Sequence, residues 1–149
     1  MADWQDNLIQ SSEGIRQLLA HARRIAVLGI KTEAQSDQAA FYVAKYLASA
    51  GLDVVPVPVY YPHVKEILGK PVYRKLTDVP GDIDLVDVFR RPSDIDAHIG
   101  DLLAKKPQAV WFQLGIRNDA AAEKLARAGI KVVQDRCLMV DHRALGPRG

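Results

Sequence analysis

A chain of 149 residues, 48% hydrophobic and 26% charged, has the size and composition of one soluble globular domain with a real core. A net charge of +2 with scattered basic residues excludes a nucleic-acid-binding stripe, the single Cys137 excludes a disulfide framework or Cys-rich zinc site, and His21, His63, His98 and His142 fall at no metal-ligand spacing. No apolar run approaches the ~20 residues that span a bilayer, and the acidic start Met-Ala-Asp-Trp-Gln-Asp lacks a signal-peptide core, so a cytoplasmic protein without a membrane partner is expected.

In chain order, Ser11 or Ser12 caps a helix whose face is Ile15, Leu18, Leu19 and Ala22. A first strand follows at Ile25–Leu28 and stops at Gly29. A polar loop runs from Lys31 to Gln38. Ala40, Val43, Ala44 and Leu47 mark the next helix, closed by Gly51. Val54–Val57 is the second strand. A Pro-broken segment, Pro56 to Pro62, leads to a predicted helical turn near Val64–Leu68. Asp84–Phe89 is the third strand, and Ser93 is expected to cap a helix with the face Ile95, Ile99, Leu102 and Leu103. Ala109–Phe112 is the fourth strand. Asn118 caps a helix that ends at Gly129, and Lys131–Val133 is the fifth strand, before a tail carrying Asp135-Arg136-Cys137. The segments Ala50-Gly51-Leu52-Asp53-Val54-Val55 and Ala128-Gly129-Ile130-Lys131-Val132-Val133 repeat one pattern: helix end, glycine, strand start. Strands alternating with helices predict an α/β, Rossmann-like three-layer domain. Its sheet should be mostly parallel, of about five strands, with helices on both faces. A single domain over residues 1–149 is expected, with residues 1–22 as an N-terminal helical extension.

Ligands of such sheets bind beyond the carboxyl ends of the strands. The residues there are Gly29, Ile30, Lys31 and Thr32; Val57 and Pro58; Arg90 and Arg91; Gln113, Leu114 and Gly115; and Asp135-Arg136-Cys137. With Arg117 this edge is basic, which points to an anionic ligand. Gly29 either lets a phosphate approach backbone or lets the next helix pack closely. Arg90 and Arg91 either meet a ligand or pair with Asp87 or Asp94 as surface salt bridges. Such bridges contribute only ~0–1 kcal/mol, so a ligand or interface role is favoured for one of the two arginines. Gln113 and Gly115 either end a strand or offer an amide and backbone N–H groups to a ligand, and His142 reads as a solvated tail residue. An NAD site is disfavoured. It wants three glycines and a carboxylate ending the second strand, whereas here one glycine stands and the strand runs into Val57-Pro58-Val59. Cys137 has no histidine base placed beside it, and no catalytic constellation is evident.

Together, Ile25-Ala26-Val27-Leu28-Gly29, Tyr42-Val43-Ala44-Lys45-Tyr46-Leu47, Glu66-Ile67-Leu68-Gly69, Val86-Asp87-Val88-Phe89-Arg90, Gln113-Leu114-Gly115-Ile116-Arg117-Asn118 and Asp135-Arg136-Cys137 resemble the CoA-binding domain family. Its members are small Rossmann-like proteins similar to the N-terminal domain of the succinyl-CoA synthetase α subunit. The resemblance spans about Ala22 to Leu145. It implies non-catalytic binding of coenzyme A or an acyl-CoA. The loop after Gly29, as far as Ala40, would meet the phosphates. The end of the second strand would lie near the adenosine, and the Arg90 and Gln113 turns would line the cleft. Where family members often have a serine two residues after the glycine, this chain has Lys31. Two alternatives stand: a small CoA-dependent enzyme using the Cys137 thiol, or a module for a protein partner or a second copy that has lost the ligand.

Overall fold

The computed structural model describes residues 3–147; Met1, Ala2, Arg148 and Gly149, the ends of the expected single domain, lie outside the described residues. In chain order the strands are β1 Arg24–Leu28, β2 Asp53–Val57, β3 Glu66–Ile67, β4 Lys70–Pro71, β5 Leu85–Val88, β6 Ala109–Phe112 and β7 Lys131–Val133. The helices are α1 Ser12–His21, α2 Ala39–Ser49, α3 Ile99–Lys105, α4 Asp119–Arg127 and α5 Leu138–Leu145. Five strands form one sheet in the order β2-β1-β5-β6-β7, every pairing parallel. The strand order reverses at the pair β1 and β5, since from β1 the chain steps outward to β2 on one side and later continues through β5, β6 and β7 on the other, which makes the carboxyl ends of β1 and β5 the topological switch point.

Side chains alternate between two apolar layers, so the strands read as nearly unbroken hydrophobic runs. Ala26, Leu28, Val86, Val88, Val110 and Phe112 pack against Ile99 and Leu102 of α3 and Leu125 of α4. Ile25, Val27, Leu85 and Trp111 face Ile15 and Leu19 of α1, Leu47 of α2 and Leu138 of α5. The doubly wound α/β arrangement expected from the sequence is the one found. The repeated Ala-Gly segments close their helices alike: Leu52 N–H donates to Leu47 O and Ile130 N–H to Leu125 O, each at 3.1 Å. The left-handed backbone this turn needs falls on Gly51 and Gly129, at φ 92° and 87°. Both sheet edges are covered. Tyr73 N–H donates to Pro56 O on β2 at 3.0 Å, and Ile9 N–H donates to Val132 O on β7 at 2.9 Å.

Three elements differ from expectation. The segment read as a helical turn near Val64–Leu68 is the hairpin β3–β4, with Ile67 opposite Lys70. Its two turn residues, Leu68 and Gly69, both have positive φ, 55° and 73°, as a tight hairpin turn that matches strand twist requires. The third helix does not start on a Ser93 cap: residues Pro92–His98 wind as a 3-10 segment that passes into α3, and Leu103 is exposed. The tail after Cys137 is helix α5, so His142 is not a solvated tail residue. It is half-buried and shares a 2.8 Å hydrogen bond through Nδ1 with the Tyr46 hydroxyl of α2.

Candidate anion site at the carboxyl edge of the sheet

Gly29 ends β1 at φ 86°, and its N–H donates to Val57 O at 2.9 Å. A Cβ built there would stand 2.4 Å from the Phe89 carbonyl oxygen and 3.2 Å from the Arg90 side chain. The glycine is therefore demanded by the backbone of Phe89, the residue that follows β5, whatever ligand binds. Ile30 turns into the core, 1% exposed. Thr32 begins a 3-10 turn at Glu33–Gln35. Its hydroxyl donates to Gln35 Oε1 at 2.7 Å and accepts from Ala34 N–H at 3.3 Å. Glu33 Oε2 accepts from Leu68 N–H at 2.8 Å, tying this loop to the hairpin.

The loop delivers the chain to α2, whose N-terminus lies at the switch point. Gln38 stands at the cap position but its side chain caps nothing. Its carbonyl takes the N–H groups of Phe41 and Tyr42, and among the described residues no acceptor meets those of Ala39 and Ala40. Lys31 folds onto the same turn: its N–H donates to Ala40 O at 3.1 Å and its ammonium donates to the Gln38 side-chain oxygen.

The other edge cations have carboxylate partners. Arg91 Nε lies 2.8 Å from Asp94 Oδ2, Arg117 Nε 3.1 Å from Asp119 Oδ1, and Arg136 reaches both oxygens of Asp141 at 2.6 and 2.9 Å. The hydrogen bond from Arg91 holds the Asp94 carboxyl below its usual range. Arg90 is the most enclosed. Its Nε donates to His98 Nε2 at 3.2 Å, its Nη1 donates to the Tyr60 hydroxyl at 3.4 Å, and its Nη2 lies 3.7 Å from Asp94 Oδ2. Accepting from Arg90 requires neutral His98, and burial together with the Arg90 charge pushes the imidazole pKa down accordingly. Tyr60 follows β2 and Arg90 follows β5, so their contact bridges the strands on either side of β1. Lys31 is thus the edge cation without a carboxylate partner among the described residues.

On the far side of the edge, Gln113 is buried and its Oε1 accepts from Leu138 N–H at 3.0 Å, capping α5. Gly115 N–H donates to Asp135 Oδ1 at 2.6 Å, and Leu114 stands 67% exposed. Val57 and Pro58 are buried. The expected site residues therefore divide. Gly29, Lys31, Thr32, Ala40, Arg90 and Arg91 gather round the switch point, while Gln113, Leu114 and Gly115 lie beyond it on the β6 turn. Asp87, an alternative partner for the arginines, is not one: it is fully buried in β5 and neither carboxylate oxygen has a partner.

The family description "CoA binding domain" matches residues 23–143, most of the chain and all of the sheet. The chain belongs to the CoA-binding domain family. It is 31% identical over 132 residues to the YneT protein of Bacillus subtilis (strain 168), covering 89% of this chain and 94% of that one. A solved Thermus thermophilus structure superposes with a TM-score of 0.83 at 38% identity, over 91% of this chain and 99% of that one. A dinucleotide-forming acetyl-coenzyme A synthetase of Ca. Korarchaeum cryptofilum shares the fold, with a TM-score of 0.62 at 22% identity, over 79% of this chain and 26% of the larger enzyme.

In this CoA-binding domain the residues missed by sequence reasoning are the supports. His98 meets Arg90 only because the 3-10 turn intervenes. Arg74, which donates to the carbonyls of Tyr60, Tyr61 and Val64 at 3.1, 2.9 and 2.7 Å, carries no local signal. Among the described residues no cluster of His, Cys, Asp and Glu could hold a metal, and no helix is long and apolar enough to cross a membrane. What the edge presents is two helix N-terminal amides without an acceptor beside an ammonium that, among the described residues, has no carboxylate partner.

Proposed function

We propose that this CoA-binding domain binds coenzyme A or an acyl-CoA at the carboxyl edge of its sheet, over the β1/β5 switch point, without turnover of its own. The observation that carries the reading is the uncapped start of α2, with the Ala39 and Ala40 amides unmet and Lys31 beside them. An anion there gains both the helix-end partial charge and an ammonium. The pyrophosphate is assigned to the segment Gly29 to Ala40, with Lys31 supplying the charge and Thr32 fixing the loop. Arg90 and Arg91 form the second wall and exchange part of their Asp94 contact for a ligand phosphate. Val57 and Pro58 flank the adenosine end, and Gln113, Leu114 and Gly115 flank the pantetheine arm.

Thermal unfolding with CoA, acetyl-CoA, NAD and ATP at matched ionic strength tests the reading. A ligand at about 100 times its Kd adds about 2.7 kcal/mol, which raises the midpoint by several degrees. Selective stabilisation by the CoA compounds is expected. Equal stabilisation by NAD or ATP, or none by CoA, removes the reading.

A second reading, thiol exchange at Cys137, is favoured by one observation: the half-buried thiol lines a groove with Leu114 and Val140 on the same edge. In it the Cys137 sulfur attacks an oxidised CoA disulfide, a protein–CoA disulfide forms, and the other half leaves as a thiol. Intact mass after incubation with CoA disulfide should then show one adduct, lost in Cys137→Ser; an unmodified wild type removes this reading.

A further inference from the structure

We propose that Tyr60 is the base-reading residue of the site, its ring stacking on the adenine of the bound nucleotide; this rests on the CoA reading above. Exposed aromatic side chains are few. Among the described residues Tyr42 and Tyr60 are 40% and 58% exposed. Tyr42 belongs to the outer face of α2, in a groove with Lys45, Tyr46 and Ser49. That leaves Tyr60 as the exposed aromatic of the strand-end edge. It stands three residues beyond Val57, the last residue of β2, and in doubly wound sheets the end of this strand receives the nucleoside.

The ring is held in place as well as exposed. Three Arg74 hydrogen bonds to the carbonyls of Tyr60, Tyr61 and Val64, at 3.1, 2.9 and 2.7 Å, fix the loop. Tyr61 packs edge-on against Tyr60 with centroids 6.4 Å apart, and the Arg90 guanidinium carbon lies 5.6 Å from the Tyr60 centroid. Tyr60 belongs to neither apolar layer of the core, so packing does not account for this bracing. A rigid exposed tyrosine presents binding area at low entropic cost. A nucleobase stacked on an aromatic side chain gains enough that its removal weakens binding by roughly tenfold or more. The chemistry selects a π-face and leaves the phosphates to the Lys31 side of the edge.

Isothermal titration of the full chain with three probes tests this: CoA, 3′,5′-ADP (base without the pantetheine arm) and 4′-phosphopantetheine (arm without the base). Tyr60→Ala should bind CoA and 3′,5′-ADP roughly tenfold more weakly and 4′-phosphopantetheine as wild type does. Tyr60→Phe keeps the ring and loses the hydroxyl that meets Arg90; it should retain most of the CoA and 3′,5′-ADP affinity that Tyr60→Ala loses. An unchanged unfolding midpoint establishes that each variant is folded. The proposal is overturned if Tyr60→Ala binds CoA normally, if it loses all three probes equally, or if Tyr60→Phe loses as much. Wild type that fails to bind CoA overturns the CoA reading itself, whereas wild type that binds with Tyr60→Ala unimpaired overturns the Tyr60 assignment alone.

Discussion

Asp87 places a carboxyl between Val27 and Trp111 in the middle of a parallel sheet, and neither oxygen has a partner. Burial pushes its pKa well above the ordinary carboxylate value of 3.8. Between the unfolded and folded pKa values the native state keeps a proton that the unfolded chain has lost. Stability therefore falls as pH rises through that window, by up to about 1.4 kcal/mol per pH unit. Asp87→Asn removes the titration. Its urea midpoint should match wild type near pH 4 and exceed it at higher pH, the difference growing from pH 4 upward until pH passes the raised folded-state pKa and then levelling off; a constant difference would show that Asp87 does not titrate in this way. Gly29 makes a sharper demand on one residue. At φ 86°, and with Phe89 O 2.4 Å from any added Cβ, Gly29→Ala must distort β1 or β5. A loss of roughly 2 kcal/mol or more in ligand-free protein is expected, measurable by the same denaturation. An effect confined to ligand binding would contradict the structural role assigned to this glycine.

At the scale of elements, the open end of α2 is both a liability for the fold and an opportunity for a ligand. Gln38→Asp supplies a side-chain cap and a negative charge where helix amides are unmet. It should stabilise the ligand-free protein by about 0.5–2 kcal/mol and weaken CoA binding, because the carboxylate occupies the place of the ligand's anion and pairs with Lys31. Lys31→Ala should weaken binding with little change in unfolding. Measured together by titration and thermal unfolding, these variants separate stability from affinity, and parallel changes in both would count against an anion site at this helix end. The same locality explains what could be read from the sequence. The five long strands were legible because burial on both faces makes them continuous apolar runs, and α4 because Asn118 caps it from within the segment, its Oδ1 accepting from Ala121 N–H at 3.0 Å. Helix α5 was not legible, since its cap is Gln113, 25 positions away. The β3–β4 hairpin was missed because Leu68 occupies a left-handed turn position without a glycine or asparagine signature. Glu33, from a different loop, holds its N–H. For the site, the basic edge could be read residue by residue. The pairing of Arg136 with Asp141 could not, because it depends on the unforeseen helix.

At the scale of the molecule, a twisted open sheet is vulnerable at its edge strands, whose unpaired amides and carbonyls invite other chains. Here each edge is closed by a segment outside the strands, and the β7 side depends on the N-terminal residues. Leu8 bridges Val132, and Ile9 N–H donates to Val132 O at 2.9 Å. Asn7 Nδ2 donates to the Ala126 carbonyl at 2.9 Å, and the Arg127 guanidinium carbon lies 4.7 Å from the Trp4 ring centroid. Trp4 and Leu8 also lean on the apolar layer under α3 and α4. The segment preceding α1 thus acts as a sixth, irregular edge that cannot itself extend the sheet. Removing residues 1–10 would expose β7 and strip partial cover from that layer. A loss of roughly 2–4 kcal/mol is expected from the apolar area and hydrogen bonds involved. Self-association should rise with concentration, because a short strand with Val132 and Val133 buried in it would be left with a free edge. Chemical denaturation gives the first quantity and sedimentation velocity the second. The two outcomes bear on different claims: a monomer of reduced stability would mean that the segment covers the core but does not guard the edge. A truncated protein of unchanged stability would mean that the sheet and its ten flanking residues are energetically independent, contrary to the contacts at Val132, Ala126 and Arg127.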